Sequence, residues 1–283
     1  MPKYTIEELQ KKANDIRKDI IKMLVAAGRG HSAGPLGMAD VFTALYFAIL
    51  NHDPKNPFWE DRDRLILSNG HICPVRYATM AHAGYFPISE LKTLRHLGTR
   101  LQGHPERLRL PGVETTSGPL GSGLAQASGY AYAARMDGKR FRVFCICSDG
   151  EHDEGNHWEA VFFAGKYNLS NLTLIVDRNN IQIDGHTEEV MPLEPLVDKY
   201  RAFSWTVIEV DGHNIEQIID AVEQARAVYE NPTVIIAYTI PGKGVSFMEN
   251  LPEWHGKPPT LEEAKIALRE LRTSGGKIKS END

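Results

Sequence analysis

Ser148-Asp149-Gly150-Glu151 closes one apolar run of the chain, and Asp177-Arg178-Asn179-Asn180 closes another. Their side chains are carboxylates and amides beside a glycine, the donors suited to a hard divalent cation and a diphosphate. Mg²⁺ takes six oxygens in a near-octahedral shell and binds phosphates readily. Asp149 offers a carboxylate, Asn179 an amide oxygen, and the backbone just past Asn179 a carbonyl. Gly150 is expected to bring an exposed N–H up to a phosphate, and the helix expected from about residue 156 to add a positive N-terminal dipole. Each tetrapeptide alone is also an ordinary turn signal. What joins them is spacing: residues 151–178 read as one crossover, which would put both strand ends on one edge of a parallel sheet.

Histidines form a second group. His31 lies in Gly30-His31-Ser32-Ala33-Gly34, His71 in Ser68-Asn69-Gly70-His71, His104 in Gly103-His104-Pro105-Glu106, and His255 in Glu253-Trp254-His255-Gly256. All four fall in or beside glycine-containing loops. Such a set suits proton transfer and hydroxyl binding near neutral pH. None of these pairs has short metal-ligand spacing such as His-x-x-x-His, which argues against a zinc hydrolase.

The elements that must position these groups follow from periodicity. Residues 5–27 read as an amphipathic helix capped by Thr5, with Glu8 three residues on and Ile16, Ile20, Ile21 and Leu24 on one face. A second helix is expected over 38–50, a strand over 64–68, a Ser89-capped helix over 89–97, and a Gly/Pro-rich loop over 99–118. The helix expected over 119–136 contains Gly121, Gly123 and Gly129. Interior glycines each cost roughly 1 kcal/mol relative to alanine, so packing against the sheet, a cofactor or a second subunit should offset them. Apolar runs at 141–147, 172–177, 206–210 and 233–239 alternate with helical stretches at 156–168, 193–202, 215–229 and 261–272. Strand-helix alternation with Val/Ile-rich strands predicts an α/β fold, a parallel sheet with helices on both faces. One domain over 1–272 is expected, with a disordered tail over 273–283.

Composition narrows the function class. The 283 residues carry a net charge of −5, with 42% hydrophobic and 24% charged residues. No broad basic surface is present for nucleic acid. The start lacks the apolar core of a signal peptide, and no apolar run is long enough for a membrane span, so a cytoplasmic protein is expected. Cys73, Cys145 and Cys147 read as buried free thiols rather than disulfides or a zinc site.

The chain resembles the N-terminal, diphosphate-binding half of transketolase. The matching segments are 30–40, 62–71, 103–106, 116–121, 148–155, 177–185 and the region around 241–256, in family order across nearly the whole sequence. The resemblance implies the thiamine diphosphate-binding fold, with thiamine diphosphate and Mg²⁺ (or Ca²⁺ or Mn²⁺) as cofactors. It implies Asp149, Asn179 and the Ile181 carbonyl as metal ligands and the Gly150 N–H on the diphosphate. His71 and His255 would lie near the diphosphate and the reacting carbons, and Gly118 and Leu120 would line the cofactor. His31 and His104 would contact sugar hydroxyls, with His31 and His255 also placed for proton transfer. Glu154 resembles the acidic residue that links the two active sites of the dimer. The implied reaction moves a two-carbon unit from a ketose phosphate to an aldose phosphate, with carbon chemistry supplied by the cofactor.

Transketolases carry further domains, including a pyrimidine-binding one with a glutamate that activates the cofactor, and the match here is used up by about residue 272. The expectation is a split enzyme: this chain with a separate C-terminal, pyrimidine-binding subunit, in an α2β2 heterotetramer. Pentose phosphate sugars are the first expectation for substrate. Ser148 stands where a glycine is usual, and Ser32-Ala33-Gly34 where Pro-Gly-Ala is common, so the acceptor side is open to other sugars. Two alternatives are kept: another thiamine diphosphate enzyme subunit, such as a 1-deoxyxylulose-5-phosphate synthase-like chain, and a non-catalytic regulatory subunit.

Overall fold

A computed structural model describes residues 4–273. Thr5 begins helix α1 (Ile6–Ala27) with the expected capping box: its side chain accepts from the Glu8 N–H while Glu8 reaches back to the Thr5 N–H. Gly28, at φ 62°, ends the helix in the left-handed conformation that glycine adopts without a Cβ clash. The stripe Leu9, Ile16, Ile20, Ile21 and Leu24 is fully buried, each side chain contributing about 1.5–3 kcal/mol of apolar burial.

The next elements are α2 (Ala33–Gly37), α3 (Ala39–Ala44) and a π-helical turn over Leu45–Ile49. The helix expected over 38–50 is therefore broken, and helical structure starts earlier. Strand β1 (Arg64–Leu67) leads through a 3-10 turn at Gly70–Ile72 into α4 (Cys73–Ala83), a helix that periodicity did not reveal. The expected helix over 89–97 is a 3-10 segment, Ile88–Thr93, with no side-chain cap from Ser89. Helix α5 (Ser122–Met136) precedes β2 (Val143–Ser148), α6 (Gly155–Lys166) and β3 (Leu172–Arg178). A small antiparallel hairpin follows, β4 (Ile181–Gln182) with β5 (Gly185–His186), then α7 (Thr187–Val190) and α8 (Leu196–Ala202). The chain continues through β6 (Thr206–Asp211), α9 (Ile215–Ala227), β7 (Thr233–Tyr238) and α10 (Leu261–Thr273). Thr273, expected to begin the tail, ends α10; the remainder of that expected tail lies outside the described residues.

Five strands form one all-parallel sheet in the order β1-β2-β3-β7-β6. Alternation along β2 splits the core. Phe144 and Ile146 face one apolar layer, shared with α1, α3, α4 and α9; Val143, Cys145 and Cys147 face a second, under α5, α6 and α8. Strands buried on both faces need apolar residues at every position, which is why they read as continuous runs. Among the described residues no helix is long and apolar enough to cross a membrane.

Candidate functional site

The parallel register pairs Ser148 with Asp177 at the ends of β2 and β3, so the two oxygen-bearing turns lie side by side on the C-terminal edge of the sheet, as their spacing predicted. Asp149 is 0% exposed. Its Oδ2 accepts from the Asn180 N–H at 2.6 Å and from the Arg178 guanidinium at 3.1 Å, and its Oδ1 from the Gly150 N–H at 2.8 Å. Burial raises its pKa to about 6 against the pull of Arg178. Asn179 donates from Nδ2 to Asp177 Oδ2 at 2.9 Å and accepts the Ile181 N–H on Oδ1 at 3.0 Å. These bonds hold Asn179 and Ile181 in one tight turn, with Asn180 at φ 61° between them. Asp177 is braced by the Thr239 hydroxyl at 2.5 Å.

The Gly150 N–H departs from expectation. It points at the preceding carboxylate rather than standing exposed, because Gly150–Asp153 form a 3-10 turn before α6. A Cβ at Gly150 would lie 3.0 Å from Gln182 Cβ, a tight contact. Glu154 stands at the N-cap of α6 with no side-chain cap bond and keeps its side chain exposed.

Three of the four loop histidines meet. The His31 and His71 rings are 5.0 Å apart, His71 and His255 5.0 Å, and His31 and His255 5.5 Å. His104 is exposed beside them, its ring 3.2 Å from where a Gly70 Cβ would stand. The loops converge because of backbone docking: the Gly242 N–H donates to the Ala33 carbonyl at 2.8 Å, and Ser32 Oγ to the Lys257 carbonyl at 2.5 Å. The Ile240 N–H donates to His213 Nε2 at 2.8 Å, and His213 Nδ1 meets Asp40 at 2.9 Å, itself ion-paired to the buried Arg17. Gly118 sits at φ 153° with open space on its Cβ side, and Leu120 lies two residues on, half-buried.

Burial lowers the pKa of His31, His71 and His255, that of His31 to about 4 with further push from His255, Arg95 and His104, and partial desolvation beside Arg95 lowers that of His104. They are neutral imidazoles at neutral pH. The folded chain refuses protons on His31 that the unfolded chain accepts, so this part of stability is complete above pH 6.5 and lost as pH falls toward 4. The expected loss is on the order of 2 kcal/mol. Unfolding free energies in urea at pH 7 and pH 4.5 should differ less for His31→Asn than for the parent chain; identical differences would exclude His31 as the source.

Two features escaped sequence reading. Glu151, 1% exposed, accepts from the Gly121 N–H at 2.6 Å, the Ser148 N–H at 3.2 Å and the Ser68 hydroxyl. Ser68 in turn accepts the Gly123 N–H at 2.9 Å. One carboxylate thus ties the ends of β1 and β2 to the start of α5, and a Cβ on Gly123 would strike Ser68. Close packing explains Gly123; Gly129 faces open space. Arg95 is the second feature. It holds a left-handed backbone at φ 59° and is wedged against Gly103, whose carbonyl it bonds at 3.2 Å.

The geometry fits a bound polar group. Asn69 is 0% exposed, yet both polar atoms of its amide lack partners, as does His31 Nδ1. Buried polar atoms without partners cost about 1–3 kcal/mol each; Asn69 lies two residues before His71, and the His31 ring packs against that of His71. The donor set Asp149, Asn179 and the Ile181 carbonyl is all oxygen, suited to a hard cation.

Residues 9–276 match the family model for the transketolase thiamine diphosphate-binding domain. The chain is 46% identical to the 6-deoxy-6-sulfo-D-fructose transketolase subunit of Clostridium sp. (strain MSTE9), over 95% of this chain and 98% of that one. It is 39% identical to an apulose-4-phosphate transketolase subunit of Actinobacillus succinogenes, over 94% and 96%. Among solved structures, the transketolase of Campylobacter jejuni superposes with a TM-score of 0.88 at 36% identity, covering 93% of this chain and 42% of the other.

Proposed function

This chain belongs to the transketolase family, and on that premise we propose that it is the diphosphate-holding subunit of a two-chain enzyme moving a two-carbon ketol unit from a ketose to an aldose. The observation that carries the reading is one of length. The chain spans nearly all of the relatives named as subunits but less than half of the solved transketolase. The partner in this reading is a C-terminal, pyrimidine-binding subunit, in an α2β2 assembly. The exposed cluster of Tyr132, Phe163 and Tyr167 on and just after α5 and α6, with rings 4.6–5.9 Å apart, supports a covering partner on that face.

Thiamine diphosphate and Mg²⁺ (or Ca²⁺ or Mn²⁺) are the cofactors of this reading. Bound, the cofactor supplies the carbon centre at which the sugar C–C bond is cleaved. Asp149, Asn179 and the Ile181 carbonyl would hold the metal. His71 and His255 would face the diphosphate, and Gly150 would do so with its N–H turned away from Asp149 Oδ1, with Gly118 and Leu120 against the ring system and Glu154 at the subunit seam. Neutral His31 and His255 can take or give a proton, and His104, at the exposed mouth, is placed to bond a sugar hydroxyl. The relatives' names specify sugars ending in a sulfonate or a phosphate. We therefore assign ketoses and aldoses with an anionic end, pentose phosphates included, as the substrate class.

The test is an assay of the purified chain with and without a pyrimidine-binding partner. Ketol transfer from hydroxypyruvate should require both chains, Mg²⁺ and thiamine diphosphate. Full turnover by this chain alone would refute the split arrangement, and preference for pyruvate would refute the ketol reading. His104→Ala in the complex should lower kcat/KM for the sugar by about 10–100-fold, the cost of roughly 1.5–3 kcal/mol of hydrogen bonding at the transition state. Its retention of thiamine diphosphate should be unchanged; an unaltered kcat/KM would remove His104 from the site.

A further inference from the structure

Beneath the Asp149 turn, on the α6–α8 side of the sheet, runs a buried polar chain that the proposed reaction does not use. His152 on the 3-10 turn, His157 on α6 and Tyr200 on α8 are all buried. The Tyr200 hydroxyl lies 2.7 Å from His152 Nε2 and 2.8 Å from His157 Nε2. His152 Nδ1 lies 2.9 Å from the Ser148 carbonyl and 3.0 Å from the Asp149 carbonyl.

The partners fix every proton. Carbonyls only accept, so His152 carries its proton on Nδ1 and leaves Nε2 bare. Tyr200 must then donate to His152 Nε2, and its oxygen accepts the His157 Nε2–H. Nδ1 of His157 is left a bare acceptor, and it has no partner. The chain thus has a direction: it starts at an unpaired nitrogen in the core and ends by gripping the carbonyls of Ser148 and Asp149.

Stability does not account for this arrangement. The rings of Trp158 and Trp205 pack against the chain in an otherwise largely apolar layer, and exchanging paired buried polar groups for apolar ones of similar shape is close to neutral or stabilising. The unpaired nitrogen itself costs about 1–3 kcal/mol. What the chain does supply is direction at the Asp149 turn. Tyr200, 48 residues along the chain, holds His152, and His152 holds the carbonyls of the short segment that carries the Asp149 carboxylate.

We propose that Tyr200, acting through His152, is a positioning residue that fixes the Asp149 carboxylate for its divalent cation, with His157 orienting the Tyr200 hydroxyl. This rests on the metal role assigned to Asp149 above. Residues supporting a metal ligand are worth about 10–100-fold in metal affinity when lost, and that is the effect expected of Tyr200→Phe.

Two variants and two readouts test it in the assembled complex. The first variant is Tyr200→Phe; the second is the triple exchange His152→Leu, His157→Val, Tyr200→Phe, which removes the polar chain but refills the space. The first readout is backbone amide exchange at Asn180, whose N–H bonds the Asp149 carboxylate. It should quicken about tenfold or more in both variants, with the thermal midpoint of the triple variant no lower than the parent's. The second is the Mg²⁺ concentration at half-maximal thiamine diphosphate retention, which should rise about 10–100-fold in both, with kcat at saturating Mg²⁺ within about twofold. Parent-like exchange and Mg²⁺ dependence in the triple variant would reduce the network to packing. Stoichiometric zinc in the parent, lost on Cys147→Ser, would also overturn the proposal, because Cys147, His152 and His157 offer ligand atoms within 4.8 Å of one another. Quickened exchange without any Mg²⁺-dependent cofactor binding in the parent would instead sink the metal role of Asp149 and leave the positioning intact.

Discussion

Asp149→Ala is expected to abolish Mg²⁺-dependent retention of thiamine diphosphate by the complex, with apparent affinity falling by at least about a hundredfold, while the chain stays folded. The loss follows from chemistry: Asp149 is the charged member of an otherwise neutral oxygen set, and hard cations depend on carboxylate charge. The fold should survive because Arg178, the buried cation facing Asp149, keeps Glu188 at 2.8 Å, Glu194 at 3.0 Å and the Thr187 hydroxyl at 2.9 Å. No unpaired charge is created, which is the usual reason for failure when one partner of a buried pair is removed. The Asn180 and Gly150 N–H groups lose their acceptor, but Asn180 is exposed and Gly150 half-buried, so water can take its place, and burial already opposes ionisation of Asp149. Cofactor retained after gel filtration, together with the thermal midpoint, checks both halves. Parent-like retention would show that the cation sits elsewhere. Asp149→Asn, which keeps the acceptor oxygen and loses the charge, should fall between.

Glu151→Ala should have the largest effect on stability, about 3–5 kcal/mol. The carboxylate satisfies two backbone N–H groups and a hydroxyl that are otherwise shut away from water, and each buried donor left without an acceptor costs about 1–3 kcal/mol. Truncation would also release the start of α5 from the end of β1, since Ser68 links Glu151 to the Gly123 N–H. Glu151→Gln keeps one acceptor oxygen and should cost about half as much. Denaturant unfolding of the metal-free chain measures both. An alanine variant within about 1 kcal/mol of the parent would mean that water replaces the carboxylate.

Glu151 also shows why part of this site is unreadable from sequence. Its identity as an acid beside Asp149 is plain, but its partner Ser68 lies 83 residues away, and no periodicity connects them. The same holds for His152 and Tyr200, 48 residues apart. Helix α4 escapes for a different reason. Every residue from Cys73 to Ala81 is buried, so the helix has no polar face, and the 3.6-residue alternation that reveals surface helices is missing. The segment after Pro87 reads as an α-helix because Ser89 looks like a cap; the chain instead forms a 3-10 run from Ile88 with no side-chain cap.

Much else is local and therefore legible. The cap on α1 is set by residues three apart, and buried parallel strands must be apolar throughout, so the strand runs can be located within about two residues. The oxygen donors at the ends of β2 and β3 can be paired because a single crossover in a parallel sheet returns the chain to the same edge. By itself, then, the amino-acid order determined most of the elements, the all-parallel sheet and the placing of Asp149 and Asn179 together, all of which depend on short spacings. Only the tertiary structure decided that β7 lies between β3 and β6, that His31, His71 and His255 stand within 5.5 Å while His104 stays at the rim, and that Glu151 and Tyr200 brace the turn from beneath. Those outcomes arise from contacts between distant segments, where total packing and the pairing of buried polar groups, rather than any repeat in the sequence, select the arrangement.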